Sequence, residues 1–255
     1  MPNHVANEII ISGPPVVLKE LQEFVSGPDV YGVESLFSLH QITPQPEILN
    51  ETEDSSFTMI AIWLVDPDIA RIIQSKDQFA GAFGNGPYDF MGKIRGMRRF
   101  KEAPEGTREE LIEWMRESHP DIMELGKACV SAHNSYGYHT LYEWRSDNWG
   151  TKWDTYSLNV CEALDGSQLT YSFDTAWSIP EPCIKQLAER FPDLKISHKF
   201  FDEAHIFWGS HLYSEGIRTE SRVSLPEDKK VIFQEVYGVA LEIKEDEECP
   251  NQEGE

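Results

Sequence analysis

The amino-acid sequence predicts an α+β fold, and two observations lead to this prediction. A strand, a serine, a proline and a helix follow one another twice, at residues 9–24 and again at residues 171–191. Residues 50–147, which lie between the two, carry mainly helical periodicity. With 255 residues and a hydrophobic content of 40%, the chain is long enough for one large domain or two small ones.

Residues 1–49 are predicted to form a β-α-β unit. A β-branched apolar run predicts a strand at residues 5–12, which Gly13 and the two prolines after it end. Apolar residues then recur at helical spacing over residues 18–25. A second strand is predicted at residues 35–42, and it completes the unit.

Residues 50–147 are predicted to be a mainly helical insertion. The apolar run 57–65 fits a strand or a helix, and a short helix is predicted directly after it. Glycines favour an irregular backbone over residues 78–106. Thr107 and Glu110 then form a capping-box pattern that begins a helix, and one more amphipathic helix follows.

Residues 148–241 are predicted to supply the rest of the sheet. Residues 156–163 and 168–176 alternate like paired strands, and the Asp-Gly pair between them favours a hairpin turn. Ser178 and Glu181 form a second capping-box pattern. Later strands are predicted at residues 195–200, 206–213 and 231–241, and residues 242–255 are predicted to be an acidic disordered tail. Two β-α-β units are what a ferredoxin-like sandwich of antiparallel sheet and helices requires.

A tryptophan-rich signature occupies the start of this C-terminal part. It reads N-W-G-T-K-W at residues 148–153, F-D-T-A-W-S-I-P at residues 173–180, and Phe191-Pro192. This combination resembles the YubB-type ferredoxin-like domain family, whose members are encoded by phages, prophages and conjugative plasmids. The signature residues are Trp149, Gly150, Lys152, Trp153, Trp177 and Pro180. The resemblance implies the fold and an origin in a mobile genetic element, but it implies no activity.

We expect the signature tryptophans to be structural. Buried aromatic side chains dominate the energetics of protein cores, so Trp149, Trp153 and Trp177 are expected to anchor the packing of sheet and helices. Lys152 is expected to be an ordinary surface lysine, although a cation–π contact with a neighbouring tryptophan is the alternative.

The net charge of −22, from 44 acidic and 22 basic residues, indicates which partners the chain can attract. The averaged field repels nucleic acid and anionic membrane, so we expect no direct nucleic-acid binding and no membrane association. A host or phage protein with a basic surface is the expected partner. The alternative is that the acidity serves only solubility.

Cysteine usage and the N-terminus favour a cytoplasmic protein, in the bacterial host cell if the resemblance holds. The four cysteines, Cys129, Cys161, Cys183 and Cys249, form no C-x-x-C pair, which fits reduced thiols. Residues 1–7 lack a positive and apolar leader pattern, and the longest apolar run is too short to span a bilayer.

Three histidines, His198, His205 and His211, are the candidates for a catalytic or metal-ligating site. Residues 202–205 read D-E-A-H, but the phosphate-binding loop that the helicase box requires is missing from the sequence. No catalytic residue, metal or cofactor is therefore predicted. Five of the 22 basic residues lie between Lys93 and Lys101, and we expect them to pair with carboxylates of the same protein.

The functional hypothesis is a non-enzymatic acidic binding protein of a mobile genetic element, which inhibits a host defence or DNA-processing protein by mimicking nucleic acid. Two alternatives stay open. One is an enzyme that acts on a small or nucleotide-like substrate, with its site at the three histidines or in the glycine-rich residues 81–96. The other is a structural or regulatory phage protein.

Overall fold

The computed structural model describes residues 3–52, 54–76 and 89–241. The chain divides into two compact units. The sheet unit is built from residues up to Pro44 and from Asp147 onward, and the helical unit is Gln45–Ser146. The predicted acidic tail, residues 242–255, lies outside the described residues, as do residues 81–88 of the glycine-rich residues 81–96.

The described elements are as follows. The strands are β1 His4–Ser12, β2 Gly27–Pro28, β3 Glu34–Ser35, β4 Tyr156–Glu162, β5 Gln168–Ala176, β6 Lys195–Asp202, β7 Trp208–Ser214 and β8 Ile217–Val223. The α-helices are α1 Pro15–Val25, α2 Leu39–Ile42, α3 Thr58–Val65, α4 Pro67–Lys76, α5 Phe90–Gly96, α6 Arg108–Ser118, α7 Pro120–Tyr136, α8 Leu141–Asn148, α9 Glu181–Arg190 and α10 Lys229–Tyr237.

The sheet unit has the ferredoxin-like topology. Six antiparallel strands lie in the order β4-β5-β1-β6-β7-β8. In chain order, β1, α1, β4, β5, α9 and β6 form a β-α-β-β-α-β arrangement, and β7 and β8 extend the sheet beyond β6. The prediction of an α+β fold with an antiparallel sheet and a helical insertion is therefore confirmed.

The predicted strand at residues 35–42 is wrong. β3 contains only Glu34 and Ser35, which pair with β2 in a separate two-stranded ribbon, and Leu39–Ile42 is helical. Ser38 caps this helix by accepting a hydrogen bond from the backbone N–H of His40. The strand that follows α1 in the main sheet is β4, on the far side of the helical unit in sequence.

The predicted strand at residues 231–241 is also wrong, because α10 occupies residues 229–237. Phe233 and Tyr237 stand four positions apart on α10, and both rings pack against Phe201 of β6, with centroids 5.1 and 6.0 Å away. Gly238, with φ +70°, ends the helix in the left-handed conformation. Strand β8 was not predicted, because its mostly exposed residues hide the alternation of a buried strand.

One of the two predicted capping boxes is confirmed. Thr107 Oγ1 accepts from the Glu110 N–H, and the Glu110 carboxylate accepts from the Thr107 N–H. The second is wrong, since α9 begins after Pro180 without a side-chain cap. Ser178 instead donates its hydroxyl hydrogen to the Gly150 carbonyl.

The two faces of the sheet are covered differently. On one face, which we call the buried face, alternate residues of the central strands are buried. They include Ile9, Ile11, Tyr171, Phe173, Ile196 and Phe200. On the opposite face, α10 packs on Phe201. Strand alternation thus places Asp174, Ala6 and Phe201, which are in register, on the α10 face.

The helical unit has a hydrophobic core of its own. The apolar run that fitted either type of element is helix α3, whose residues Ile60, Ala61, Ile62 and Leu64 are all buried. Helix α7 packs closely on it at Gly126, where an added Cβ would lie 2.2 Å from the Ala61 carbonyl oxygen. Burial around most of its circumference explains why α3 lacks the one-sided periodicity of a surface helix.

Candidate functional site

The tryptophan-rich signature holds together one end of the sheet unit. Trp149 is fully buried, and its indole N–H donates to the Thr43 carbonyl over 2.9 Å. Thr151 donates its hydroxyl to the Ala176 carbonyl and accepts from the Ala176 N–H, which ties the segment to the end of β5. The expected core role of Trp149 agrees with its place in the structure.

Gly150 and Pro180 complete this junction. Gly150 has φ +82°, and an added Cβ would lie 2.6 Å from both the Ile179 carbonyl oxygen and the Pro182 ring. Any other side chain would therefore displace the backbone that leads into α9. Pro180 is buried at the N-terminus of α9.

Asp154, which follows the N-W-G-T-K-W element directly, is a buried carboxylate whose oxygens accept several hydrogen bonds. Its two oxygens accept from the Ser38 hydroxyl at 2.7 Å, the Leu39 N–H at 2.7 Å and the His40 N–H at 3.3 Å. It also accepts from the Thr155 N–H. Asp154 therefore caps the N-terminus of α2 from a distant part of the chain.

The other signature residues are less buried. Trp153 is half-buried and packs edge-on against Tyr156, with centroids 6.2 Å apart, and Lys152 is exposed. Trp177 is 51% exposed and has φ +71°. The expectation that Trp177 anchors the core is wrong, because about half of the residue is exposed.

Five polar residues gather at the same end of the sheet, and we call them the strand-end cluster. They are His4, Tyr156, Asp174, Glu203 and Tyr237. They come from the start of β1, the start of β4, the end of β5, the turn after β6 and the last residue of α10. Antiparallel pairing brings these strand ends together at one end of the sheet.

Hydrogen bonds fix the centre of the cluster. His4 and Glu203 exchange bonds, because the His4 N–H donates to Glu203 Oε1 at 2.7 Å and the Glu203 N–H donates to the His4 carbonyl at 2.9 Å. The Tyr156 hydroxyl donates to the Thr175 carbonyl at 3.1 Å and lies 2.7 Å from His4 Nδ1. Since a phenol has one hydrogen, His4 Nδ1 is the donor in the second contact.

Burial and neighbouring carboxylates both act on the tyrosines of the cluster. Burial, together with the negative charges of Asp174 and Glu203, raises the pKa of Tyr156 to about 12. Burial and the charges of Asp174, Glu203 and Asp202 likewise raise the pKa of Tyr237. Burial, the larger cause, disfavours any charged group, whereas the negative charges of the carboxylates favour a positive group.

The three histidine candidates do not share one site. His198 of β6 and His211 of β7 are cross-strand partners whose ring centroids lie 6.1 Å apart on the buried face. His205 lies in the turn after β6 with φ +60°, and its ring packs 5.1 Å from Phe201 on the α10 face. The sheet therefore separates His205 from the pair.

His198 belongs to a buried polar chain. Its Nε2 lies 2.9 Å from Asn7 Oδ1, and the Asn7 amide donates to Thr175 Oγ1 at 2.9 Å. Burial lowers the pKa of His198 to about 3 and also lowers the pKa of His211. Both rings are therefore neutral at physiological pH. In the described part of the chain, no three His, Cys, Asp or Glu side chains are grouped closely enough to hold a metal ion.

The basic segment Lys93–Lys101 makes contacts within the helical unit. Arg99 lies 2.5 Å from the Asp121 carboxylate and 5.0 Å above the centroid of the Phe57 ring. Lys101 pairs with Glu102 at 3.9 Å. These two basic residues thus pair with carboxylates of the protein itself.

The strand-end cluster could not have been found by inspecting motifs. Its members are spread from residue 4 to residue 237, and none belongs to a recognisable pattern. The available signal was indirect, since the cluster adjoins the signature through Tyr156 and Trp153.

These features define the class of the protein as an α+β protein with a ferredoxin-like domain. Residues 148–239 match the family model described as the ferredoxin-like domain in Api92-like protein. The chain is also similar to the crystal structure of the protein api92 from Yersinia pseudotuberculosis, with 16% sequence identity and a TM-score of 0.42. That similarity covers 87% of this chain and 98% of the other. No curated protein matches the sequence significantly. Across the residues described, none of the helices is both long and apolar enough to cross a membrane.

Proposed function

We propose that this protein is a non-enzymatic binding protein that occupies a basic surface of a partner protein. The observation that carries the proposal is the strand-end cluster, where the carboxylates of Asp174 and Glu203 lie near two tyrosines at one end of the sheet. Glu203 is exposed there, and Tyr237 is 39% exposed. A cationic side chain can therefore reach the cluster from solvent.

The charge of the whole chain supports the same proposal. Residues 1–44 and 147–241 contain 20 acidic and 10 basic residues, and residues 45–146 contain 17 and 11. Residues 242–255 add seven acidic residues and one lysine. Each of these three parts of the chain is therefore net negative. Such a field raises the rate at which a basic partner associates.

The partner that we propose is a host defence or DNA-processing protein, whose nucleic-acid groove the negative surface fills. In this proposal the gene belongs to a phage, prophage or plasmid, and the protein acts in the cytoplasm of the bacterial host. The tryptophan-rich signature supports this origin through its resemblance to YubB-type proteins. A groove that binds phosphates with lysine and arginine also binds carboxylates of suitable spacing.

The test starts with host proteins that bind the immobilised full-length chain at about 50 mM salt, where surface charges are little screened. Each captured protein is purified, and duplex DNA is then titrated against the complex. We expect DNA to compete, and we expect affinity to fall by about tenfold or more on raising the salt to about 300 mM. Binding that resists both DNA and salt would refute the mimicry.

Paired charge variants show whether binding depends on the location of the charge. Asp174→Asn with Glu203→Gln removes two charges from the strand-end cluster. Glu20→Gln with Asp193→Asn removes two charges from exposed positions elsewhere on the sheet unit, and Asp193 adjoins Gly13 at the other end of β1. The first pair is expected to weaken the complex much more than the second. Equal effects would show that net charge alone governs binding.

A further inference from the structure

Trp177 combines two unfavourable properties. Its φ of +71° is a conformation that bulky residues rarely adopt, and the residue is 51% exposed. Glycine would adopt the same conformation without strain. Neither the backbone nor the core therefore explains a tryptophan here, and an observed outlier of this kind motivates a functional hypothesis.

The surrounding hydrogen bonds hold Trp177 in place. Its backbone N–H donates to the Asn3 carbonyl at 2.9 Å. On one side, Thr151 clamps Ala176, and on the other side the Ser178 carbonyl accepts from the Thr175 hydroxyl at 2.8 Å. The indole is therefore presented from a fixed backbone, which lowers the entropy lost on binding.

Trp177 also adjoins the strand-end cluster. Asn3, which accepts its N–H, precedes His4, and His4 exchanges hydrogen bonds with Glu203. Asp174 stands three residues before Trp177 and opposite Tyr156 across the β4–β5 pair. The backbone of Trp177 thus lies at the same end of the sheet as Asp174 and, through Asn3 and His4, Glu203.

We propose that Trp177 is the anchor of the partner interface and that it stacks on the guanidinium of an arginine in a basic segment of the partner protein. This proposal rests on the proposed function and specifies its partner. Tryptophan gives the strongest cation–π contacts, and arginine stacks on aromatic faces more readily than lysine. The neighbouring carboxylates, Asp174 and Glu203, can accept the fork of guanidinium hydrogens, which lysine cannot offer.

The experiment uses the full-length chain with fluorescein-labelled nona-arginine and nona-lysine peptides, measured by fluorescence anisotropy at low salt. We expect the wild type to bind nona-arginine more tightly than nona-lysine. Trp177→Gly is expected to weaken nona-arginine binding by about tenfold or more and to remove the preference for arginine. Its melting temperature is expected to stay the same or rise, because glycine relieves the left-handed conformation.

Two further measurements keep the proposal falsifiable. Trp177→Phe, which keeps an aromatic ring, is expected to retain part of the preference for arginine. In NMR titrations with nona-arginine, the indole N–H signal that disappears in Trp177→Phe is expected to shift, while that of the buried Trp149 stays in place. A clearly lower melting temperature in Trp177→Gly, or an unmoved Trp177 signal, would overturn the assignment.

The outcomes also separate this proposal from the proposed function. If Trp177→Gly binds nona-arginine like the wild type, the anchor is refuted while binding to basic partners stands. If the wild type binds neither peptide at low salt, the proposed function fails with it. Equal losses from the Asp174→Asn/Glu203→Gln pair and the Glu20→Gln/Asp193→Asn pair would also refute a localised arginine site.

Discussion

Protonation of the buried His198 is expected to limit stability in acid. The ring is inaccessible to solvent, and burial holds its pKa at about 3 in the folded protein, against 6.5 in the unfolded chain. Above the unfolded value both states are neutral, and His198 has no effect on the pH dependence. As the pH falls below the unfolded pKa, His198 is protonated in the unfolded state but stays neutral in the folded state. Stability is therefore lost between the unfolded and the folded pKa.

The magnitude follows from the difference between the two pKa values. Each pH unit below the unfolded value costs about 1.4 kcal/mol, which amounts to about 2 kcal/mol at about pH 5. The neighbouring His211, whose pKa is also lowered by burial, contributes in the same direction. Replacement by glutamine removes the titration and keeps an amide that can donate to Asn7.

Urea unfolding followed by circular dichroism measures the effect. The wild type and His198→Gln are compared at about pH 7.5 and about pH 5, and the difference between their losses isolates the histidine. We expect the wild type to lose about 2 kcal/mol more than the variant. His205→Gln, which changes an exposed ring, serves as the control and should behave like the wild type. Equal losses in wild type and His198→Gln would refute the linkage.

Two further predictions concern the sheet unit. Asp154→Asn is expected to lower the free energy of unfolding by about 2 kcal/mol, because the amide nitrogen cannot accept from buried donors at the start of α2. Asp193→Asn, at an exposed position, should change it by less than about 0.5 kcal/mol in the same urea titration. Replacing residues 45–146 with a glycine-serine linker is expected to leave a sheet unit that unfolds cooperatively, because the Trp149–Thr43 hydrogen bond keeps the two chain ends close. A non-cooperative unfolding curve would contradict that expectation.

The elements that local sequence patterns specify were predictable from the sequence. Elements whose position depends on contacts with distant parts of the chain were not. The β4–β5 hairpin was predictable, because alternating residues flank an Asp-Gly turn. The strand that follows α1 in the main sheet was not predictable. Consecutive elements usually lie together, so residues 35–42 were the expected strand. An insertion of a whole unit between α1 and β4 breaks that rule.

The late helix shows a second limit of periodicity. Val231, Phe233 and Tyr237 are separated by even numbers of residues, as side chains on one face of a strand are. Phe233 and Tyr237, four residues apart, also fit one face of a helix. Packing on Phe201 decides for the helix, and that contact spans more than 30 residues. Only the tertiary structure carries this information.

The candidate site was hidden from the sequence for a related reason. Its carboxylates and tyrosines become one cluster only when five element ends meet. Residue type alone suggested burial, because most tryptophans are buried. Trp177 is instead 51% exposed in the structure.

The signature therefore performs two tasks that its residue types do not distinguish. Trp149 closes the junction where the chain leaves for the helical unit and returns, and Gly150 lets the backbone pass close to α9. The same junction, through Thr151 and its bonds to Ala176, fixes the backbone that presents Trp177. A substitution in the buried half should thus disturb both stability and binding, whereas one at Trp177 should affect binding alone. That asymmetry would separate the structural part of the signature from the proposed interface.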